Sequence, residues 1–187
     1  MEKETPKNIV RAIAGESMAR NKYTYFASQA QKEGFEQISA IFLETADNEK
    51  EHAKRLMKLL DGPTESSLES FDFPIVKSTA ENLGTAAAGE KHETDFMYPD
   101  FAKIAKEEGF DEAAKVFTEI GDVEEFHEKR YLKLKENIEK GHVFKRDAEQ
   151  TWHCRNCGYI HKGTSAPTIC PSCAHPQAHY ELLAENY

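Results

Sequence analysis

The chain has 187 residues, 39% of them hydrophobic, with four cysteines and a formal net charge of -9. That length suits one ordinary domain plus a small appendage, and the acidic balance, with no basic stretch long enough to track phosphates, argues against nucleic acid. The opening MEKETPKNIV lacks a signal-peptide run and no later stretch reaches membrane-spanning length, so the expected setting is the cytoplasm, with no membrane partner.

A first helix places Glu16 in line with Ile9, Ile13 and Tyr23. It ends at Gly34-Phe35, a short hairpin turn. In the second helix Ile38, Phe42, Thr45, Glu49, His52, Leu56 and Leu59 recur at alternating spacings of four and three. DGPTESSLESFDFP (61–74) then forms a long crossover. A third helix aligns Glu90 and Glu93 with Leu83, Ala86 and Met97, and turns at Gly109-Phe110. The fourth carries Ala113, Phe117, Ile120, Glu124, His127, Tyr131 and Leu134 on one seam. Apolar side chains belong on such seams, yet acids and imidazoles share them. The pattern predicts an all-α four-helix bundle of the ferritin-like kind, with its long crossover between helices two and three.

The halves repeat. YTYFASQAQKEGF (23–35) aligns with YPDFAKIAKEEGF (98–110), and DNEKEH (47–52) with DVEEFH (122–127), at an offset of 75; AGE (14–16) and AGE (88–90) are offset by 74. The second half thus has one extra residue between Glu90 and Tyr98. A single insertion within a helix predicts a π-turn, a feature that gathers at functional sites, and Pro99 helps to bend the same helix.

Ionised carboxylates in a core are costly unless a positive charge offsets them. A lone Glu-x-x-His is ordinarily a solvated helix face. Two copies on core seams, each with a partner AGE, point instead to two metal ions. The i,i+3 spacing turns both side chains to one side, the pattern of di-iron carboxylate bundles. Glu16 and Glu90 are then single carboxylates, and Glu49/His52 and Glu124/His127 the pairs. Glu93 has no counterpart, since Ala19 stands at the matching offset. It reads as a seventh ligand that alternates with His52 as the redox state changes, because ferric iron favours carboxylate and ferrous iron accepts imidazole.

After Gly141 the helical pattern stops. Cys154-x-x-Cys157 and Cys170-x-x-Cys173, separated by 12 residues, form two knuckles around one tetrahedral metal, which a segment this short needs for its stability. Four thiolates accept zinc or iron; beside a di-iron site that needs electrons, an iron relay outweighs structural zinc. His92 reads as solvated, His153, His161, His175 and His179 as surface residues or neighbours of the ligands rather than ligands, and Trp152 and Tyr159 as packing for the small domain.

AGESMARNKY, DNEKEHAKRL, AAAGEKHETDFMYP and DVEEFHEKR, with WHCRNCGYIHKG and CPSCAHP in the tail, resemble the rubrerythrin family from end to end. The resemblance implies a di-iron domain over 1–145 and a rubredoxin-like domain over 146–187. It implies three irons per chain, without haem or flavin: a pair on Glu16, Glu49, His52, Glu90, Glu93, Glu124 and His127, and one iron on Cys154, Cys157, Cys170 and Cys173. Tyr23 and Tyr98 would hydrogen-bond ligating carboxylates. The implied activity is reduction of hydrogen peroxide to water in oxidative-stress protection. Electrons would come from an NAD(P)H-dependent reductase or a rubredoxin-type donor, and the subunits would pair head to tail as a homodimer. Iron storage and a zinc-binding interaction module compete with this expectation; metal content per chain and the red colour of a rubredoxin-type centre separate them.

Overall fold

The computed structural model describes residues 3–67 and 73–186. Among the described residues five α-helices run in order: α1 Thr5–Lys32, α2 Glu36–Met57, α3 Thr79–His92, α4 Tyr98–Glu107 and α5 Asp111–Glu139. A π-helical turn, Glu93–Met97, joins α3 to α4 without a break, so the helices make four rods. The π-turn falls where the one-residue offset between the halves requires it. Pro99 sits in the first turn of α4, where its missing N–H costs little. Residues 68–72 of the expected crossover lie outside the described residues.

Two helical hairpins build the bundle, α1 with α2 and α3–α4 with α5. Each turns at a glycine in the left-handed region, Gly34 and Gly109, both at φ 82°. In each turn the next residue's N–H closes back on the helix, Phe35 to the Ala30 carbonyl at 2.9 Å and Phe110 to that of Ala105 at 2.8 Å. Those bonds satisfy carbonyls that a helix end otherwise leaves open.

Helix starts are capped across the halves. The Glu108 carboxylate, at the end of α4, accepts from the Glu4 and Thr5 backbone N–H groups at 2.9 and 2.8 Å and from the Thr5 hydroxyl at 2.6 Å. Glu33, at the end of α1, accepts from the Thr79 N–H at 3.0 Å, beside a capping box formed by Ser78 and Glu81. Negative charge at a helix N-terminus meets unpaired N–H groups and the positive end of the dipole.

The apolar interior has two parts. One gathers Tyr23, Phe26, Phe42, Leu83 and Tyr131; the other gathers Ile9, Leu56, Tyr98, Phe117 and Ile120. The acids and imidazoles of the seams lie between them. The tail is an antiparallel sheet of order β2-β1-β3, with β1 Lys145–Cys154, β2 Ile160–Ser165 and β3 Tyr180–Leu182. Trp152 is fully buried in it and donates from Nε1 to the Gly163 carbonyl at 2.9 Å. Phe144 stacks on Phe35 with ring centroids 6.2 Å apart, setting the tail against the bundle. Among the described residues, no helix is long and apolar enough to cross a membrane.

Candidate metal centres

Four rods deliver six of the seven seam residues to one place: Glu16 from α1, Glu49 and His52 from α2, Glu90 from α3, Glu124 and His127 from α5. They form two overlapping donor sets. Glu16, Glu49, His52 and Glu124 each offer one atom within 4.8 Å of the others, and so do Glu49, Glu90, Glu124 and His127. Glu49 and Glu124 belong to both sets, the arrangement that two bridging carboxylates would take. None of the four acids exceeds 1% exposure, and His127 is at 1%.

These atoms converge without pairing. His52 Nδ1 lies 3.0 Å from Glu49 Oε2 and 2.9 Å from Glu124 Oε1; His127 Nδ1 lies 2.7 Å from Glu124 Oε2. The distances suit hydrogen bonds, but the alignment does not. Both Nδ1 atoms, Glu16 Oε2, and both oxygens of Glu49 and of Glu124 are buried without a hydrogen-bond partner. Buried polar atoms are rarely left so. Lone pairs aimed at two shared points between the rods are what a pair of cations would satisfy, so the residues fit a dinuclear metal site.

Burial and neighbouring charge agree with this. Glu16 is pushed well above the carboxylate range by burial, then by Glu93, Glu49 and Glu124. Glu90 is raised likewise by burial and by Glu49, Glu93 and Glu124. Burial opposes a charge on His52, but Glu124 and Glu49 outweigh it and lift the imidazole to about 10. Burial also works against Glu124, yet His127 and His52 bring it below the usual value. Without a cation, the cluster gathers protons.

Glu93 stands apart from both donor sets. It opens the π-turn three residues after Glu90, near enough for burial and the charges of Glu124 and Glu49 to raise it to about 8. Tyr23 donates to Glu90 Oε1 at 2.5 Å, and Tyr98 donates to Glu16. His92 is exposed, as expected for its side of the helix, and packs on Phe96. A cleft of ≈ 490 Å³ between α2 and α5, lined by His52, Arg55, Val116, Ile120 and Val123, opens beside the site.

Two contributors escaped the motif pattern. Gly121, on the buried face of α5, leaves room for Tyr98: a Cβ there would come within 3.2 Å of the Tyr98 Cβ. A glycine in mid-helix, against propensity, was the available signal. Tyr131 is fully buried with its ring 5.5 Å from that of Tyr23. Its seam position was visible, but not its contact with the other half's tyrosine.

In the tail, the four cysteine sulfurs lie within 4.8 Å of one another. Cys154 approaches Cys173 at 3.9 Å and Cys157 approaches Cys170 at 3.7 Å. Each knuckle closes alike, Gly158 N–H on the Cys154 carbonyl at 2.8 Å and Ala174 N–H on the Cys170 carbonyl at 2.9 Å; Gly158 and Ala174 both have positive φ. Four sulfurs from two such turns fit one tetrahedral metal.

The family model described as Rubrerythrin matches residues 7–135, and that of the rubrerythrin rubredoxin-like domain matches 152–181. The chain belongs to the rubrerythrin family. It is 56% identical over 183 residues to a rubrerythrin of Nitratidesulfovibrio vulgaris, covering 98% of this chain and 96% of that one. A rubrerythrin of Porphyromonas gingivalis is 53% identical over 184 residues, covering 98% and 92%. Among solved structures, nigerythrin in a fully reduced, all-ferrous state aligns with a TM-score of 0.64 and 34% identity, over 98% of this chain and 88% of that one. The fold is thus a ferritin-like bundle with a rubredoxin-like domain at its C-terminal end, as the motifs of this rubrerythrin chain predict.

Proposed function

We propose that this chain is a non-haem iron peroxidase that reduces hydrogen peroxide to water and protects the cytoplasm from oxidative stress. The supporting observation is a pair of buried, overlapping carboxylate–imidazole donor sets joined in one chain to a four-thiolate site. Glu16, Glu49, His52, Glu90, Glu124 and His127 would hold two irons; Cys154, Cys157, Cys170 and Cys173 would hold a third. Bound there, a ferrous pair would supply the two electrons that split the O–O bond, so that peroxide, two protons and two electrons become two waters. The all-ferrous nigerythrin supports iron as the metal.

The chain's own residues do the rest. Glu49 and Glu124, which belong to both donor sets, would help to hold either metal ion, and the Tyr98 and Tyr23 hydroxyls orient Glu16 and Glu90. The two apolar clusters on either side exclude water. Glu93, beside the donor sets and able to hold a proton, delivers protons to the leaving oxygens and would offer oxidised iron a carboxylate in place of the His52 imidazole. Iron held by the four cysteines would supply one-electron transfer from an NAD(P)H-dependent reductase or rubredoxin-type donor. It would do so across a head-to-tail homodimer, in which the tail of one copy approaches the cleft beside His52 of the other.

Stopped-flow mixing of the fully reduced protein with hydrogen peroxide tests this. Rapid, stoichiometric reoxidation of the red centre, with three irons per chain by elemental analysis, is the expected result. Reoxidation no faster than in air-saturated buffer, or a load of many irons, overturns it.

A further inference from the structure

The four cysteines of the tail differ in exposure. Cys157 faces solvent, Cys173 is half-buried, and Cys154 and Cys170 are buried. Two sulfur–sulfur contacts run between the knuckles: Cys157 Sγ lies 3.7 Å from that of Cys170, and Cys154 Sγ lies 3.9 Å from that of Cys173. Bonds that involve no sulfur hold the knuckles side by side. The Arg155 N–H, in the first knuckle, donates to the His179 carbonyl at 2.8 Å. Asn156 Nδ2 reaches from the first knuckle to within 3.2 Å of His175 Nδ1, just past the second. β1, which ends at Cys154, pairs with both β2 and β3, and Phe144 leans on Phe35 of the bundle.

We propose that these cysteines form a peroxide-sensitive thiol switch: in a chain whose tail has given up its metal, hydrogen peroxide oxidises the exposed Cys157, and Cys170 resolves it as a disulfide between the knuckles. This rests on the reading above, in which the tail takes iron and the chain meets peroxide. In the first step the Cys157 thiolate attacks one peroxide oxygen and the O–O bond breaks; one water leaves and a sulfenic acid remains. In the second the Cys170 sulfur attacks the sulfenic sulfur, the S–O bond breaks and a second water leaves. Two thiols and one peroxide thus become one disulfide and two waters, with sulfur as the two-electron donor. A metal bound to all four sulfurs withholds the thiolates from this attack. The linked chain has lost two of its four thiolates, so it refuses iron until a dithiol reopens it. Its sulfur is also kept from the sulfinic and sulfonic acids, which a dithiol does not reverse.

The test uses the full-length protein, stripped of metal under reducing conditions and then given one equivalent of hydrogen peroxide. Trypsin cuts after Arg155 and Lys162, so Cys154, Cys157 and the Cys170/Cys173 pair fall on separate peptides. Mass spectrometry with fragmentation then reads the pairing, and the Cys157–Cys170 link should predominate. Cys170→Ser should leave Cys157 as a sulfenic acid that dimedone traps. The oxidised parent should lose its uptake of iron, read from the red colour, and regain it with dithiothreitol. Iron-loaded protein given the same peroxide should form no such link. A main product within one knuckle, no disulfide, or undiminished iron uptake overturns the switch. Reduced, iron-loaded protein that peroxide fails to reoxidise would instead overturn the peroxidase reading and leave the pairing untouched.

Discussion

The Tyr23 hydroxyl donates to Glu90 Oε1 at 2.5 Å, reaching from α1 into α3. Tyr98, its counterpart 75 residues on, reaches back to Glu16. Each half's phenol therefore fixes the single carboxylate of the other. Tyr23→Phe and Tyr98→Phe should each weaken metal binding at the dinuclear site by about 10–100-fold, read by titrating the metal-free protein with cobalt. Helical circular dichroism should stay unchanged. Equal cobalt affinity in parent and variants would show that the phenols do not orient these acids.

Gly121→Ala separates stability from site geometry. A helix-interior alanine gains about 1 kcal/mol over glycine, while crowding a packed contact costs about 1–3 kcal/mol. The new methyl, 3.2 Å from the Tyr98 Cβ, should leave stability in urea within about 2 kcal/mol of the parent. The displaced phenol should loosen its hold on Glu16, lowering cobalt affinity by about tenfold or more. A variant that binds cobalt like the parent would show that Tyr98 tolerates the shift.

The metal-free bundle should lose stability as pH rises. His52 is lifted from 6.5 to about 10, because Glu124 and Glu49 outweigh burial. Its contribution is complete below pH 6.5 and gone above about 10. Glu93 is raised from 4.5 to about 8 by burial and by Glu124 and Glu49. A carboxyl raised on folding likewise favours the native state least at high pH, its contribution lost between 4.5 and about 8. Both effects have one sign, at about 1.4 kcal/mol per pH unit for each proton of difference. The urea midpoint of the metal-free protein should fall steadily from pH 6 to 9. A flat or rising profile would contradict the protonated cluster.

Cys154→Ser should abolish the red centre and stop turnover while the bundle keeps its helices and two irons. Both interior clusters of the bundle are drawn from helices and their turns, so the tail's metal does not hold them together. Circular dichroism and iron analysis decide this: loss of helix would show that the tail supports the bundle. Glu93→Ala should slow reoxidation by peroxide by about a hundredfold or more if that carboxylate moves protons. Parent-like rates would remove Glu93 from the chemistry.

The donors were legible because they break a pattern. Glu49, His52, Glu124 and His127 occupy steps of a helical seam that otherwise hold Ile38, Phe42, Phe117 and Ile120. Burying such groups is expensive unless a cation offsets their charge. The π-turn was legible too, since the 74-versus-75 offset leaves one residue that an α-helix cannot absorb in register. The caps were not. Glu108 meets Thr5 across about a hundred positions of sequence, and nothing local distinguishes it from other exposed acids. Nor did spacing separate Glu93 from the two donor sets: it lies three residues from Glu90, and its place at the opening of the π-turn shows only in the fold.

Glu108 caps the start of the first hairpin and Glu33 the start of the second, just as the tyrosines trade carboxylates. Neither hairpin is finished without the other, so the connecting stretch serves mainly to keep them at high local concentration. A polypeptide nicked there should yield two pieces that recombine on mixing and recover the paired ions. An ancestral single hairpin could have met all of these needs by associating with a copy of itself.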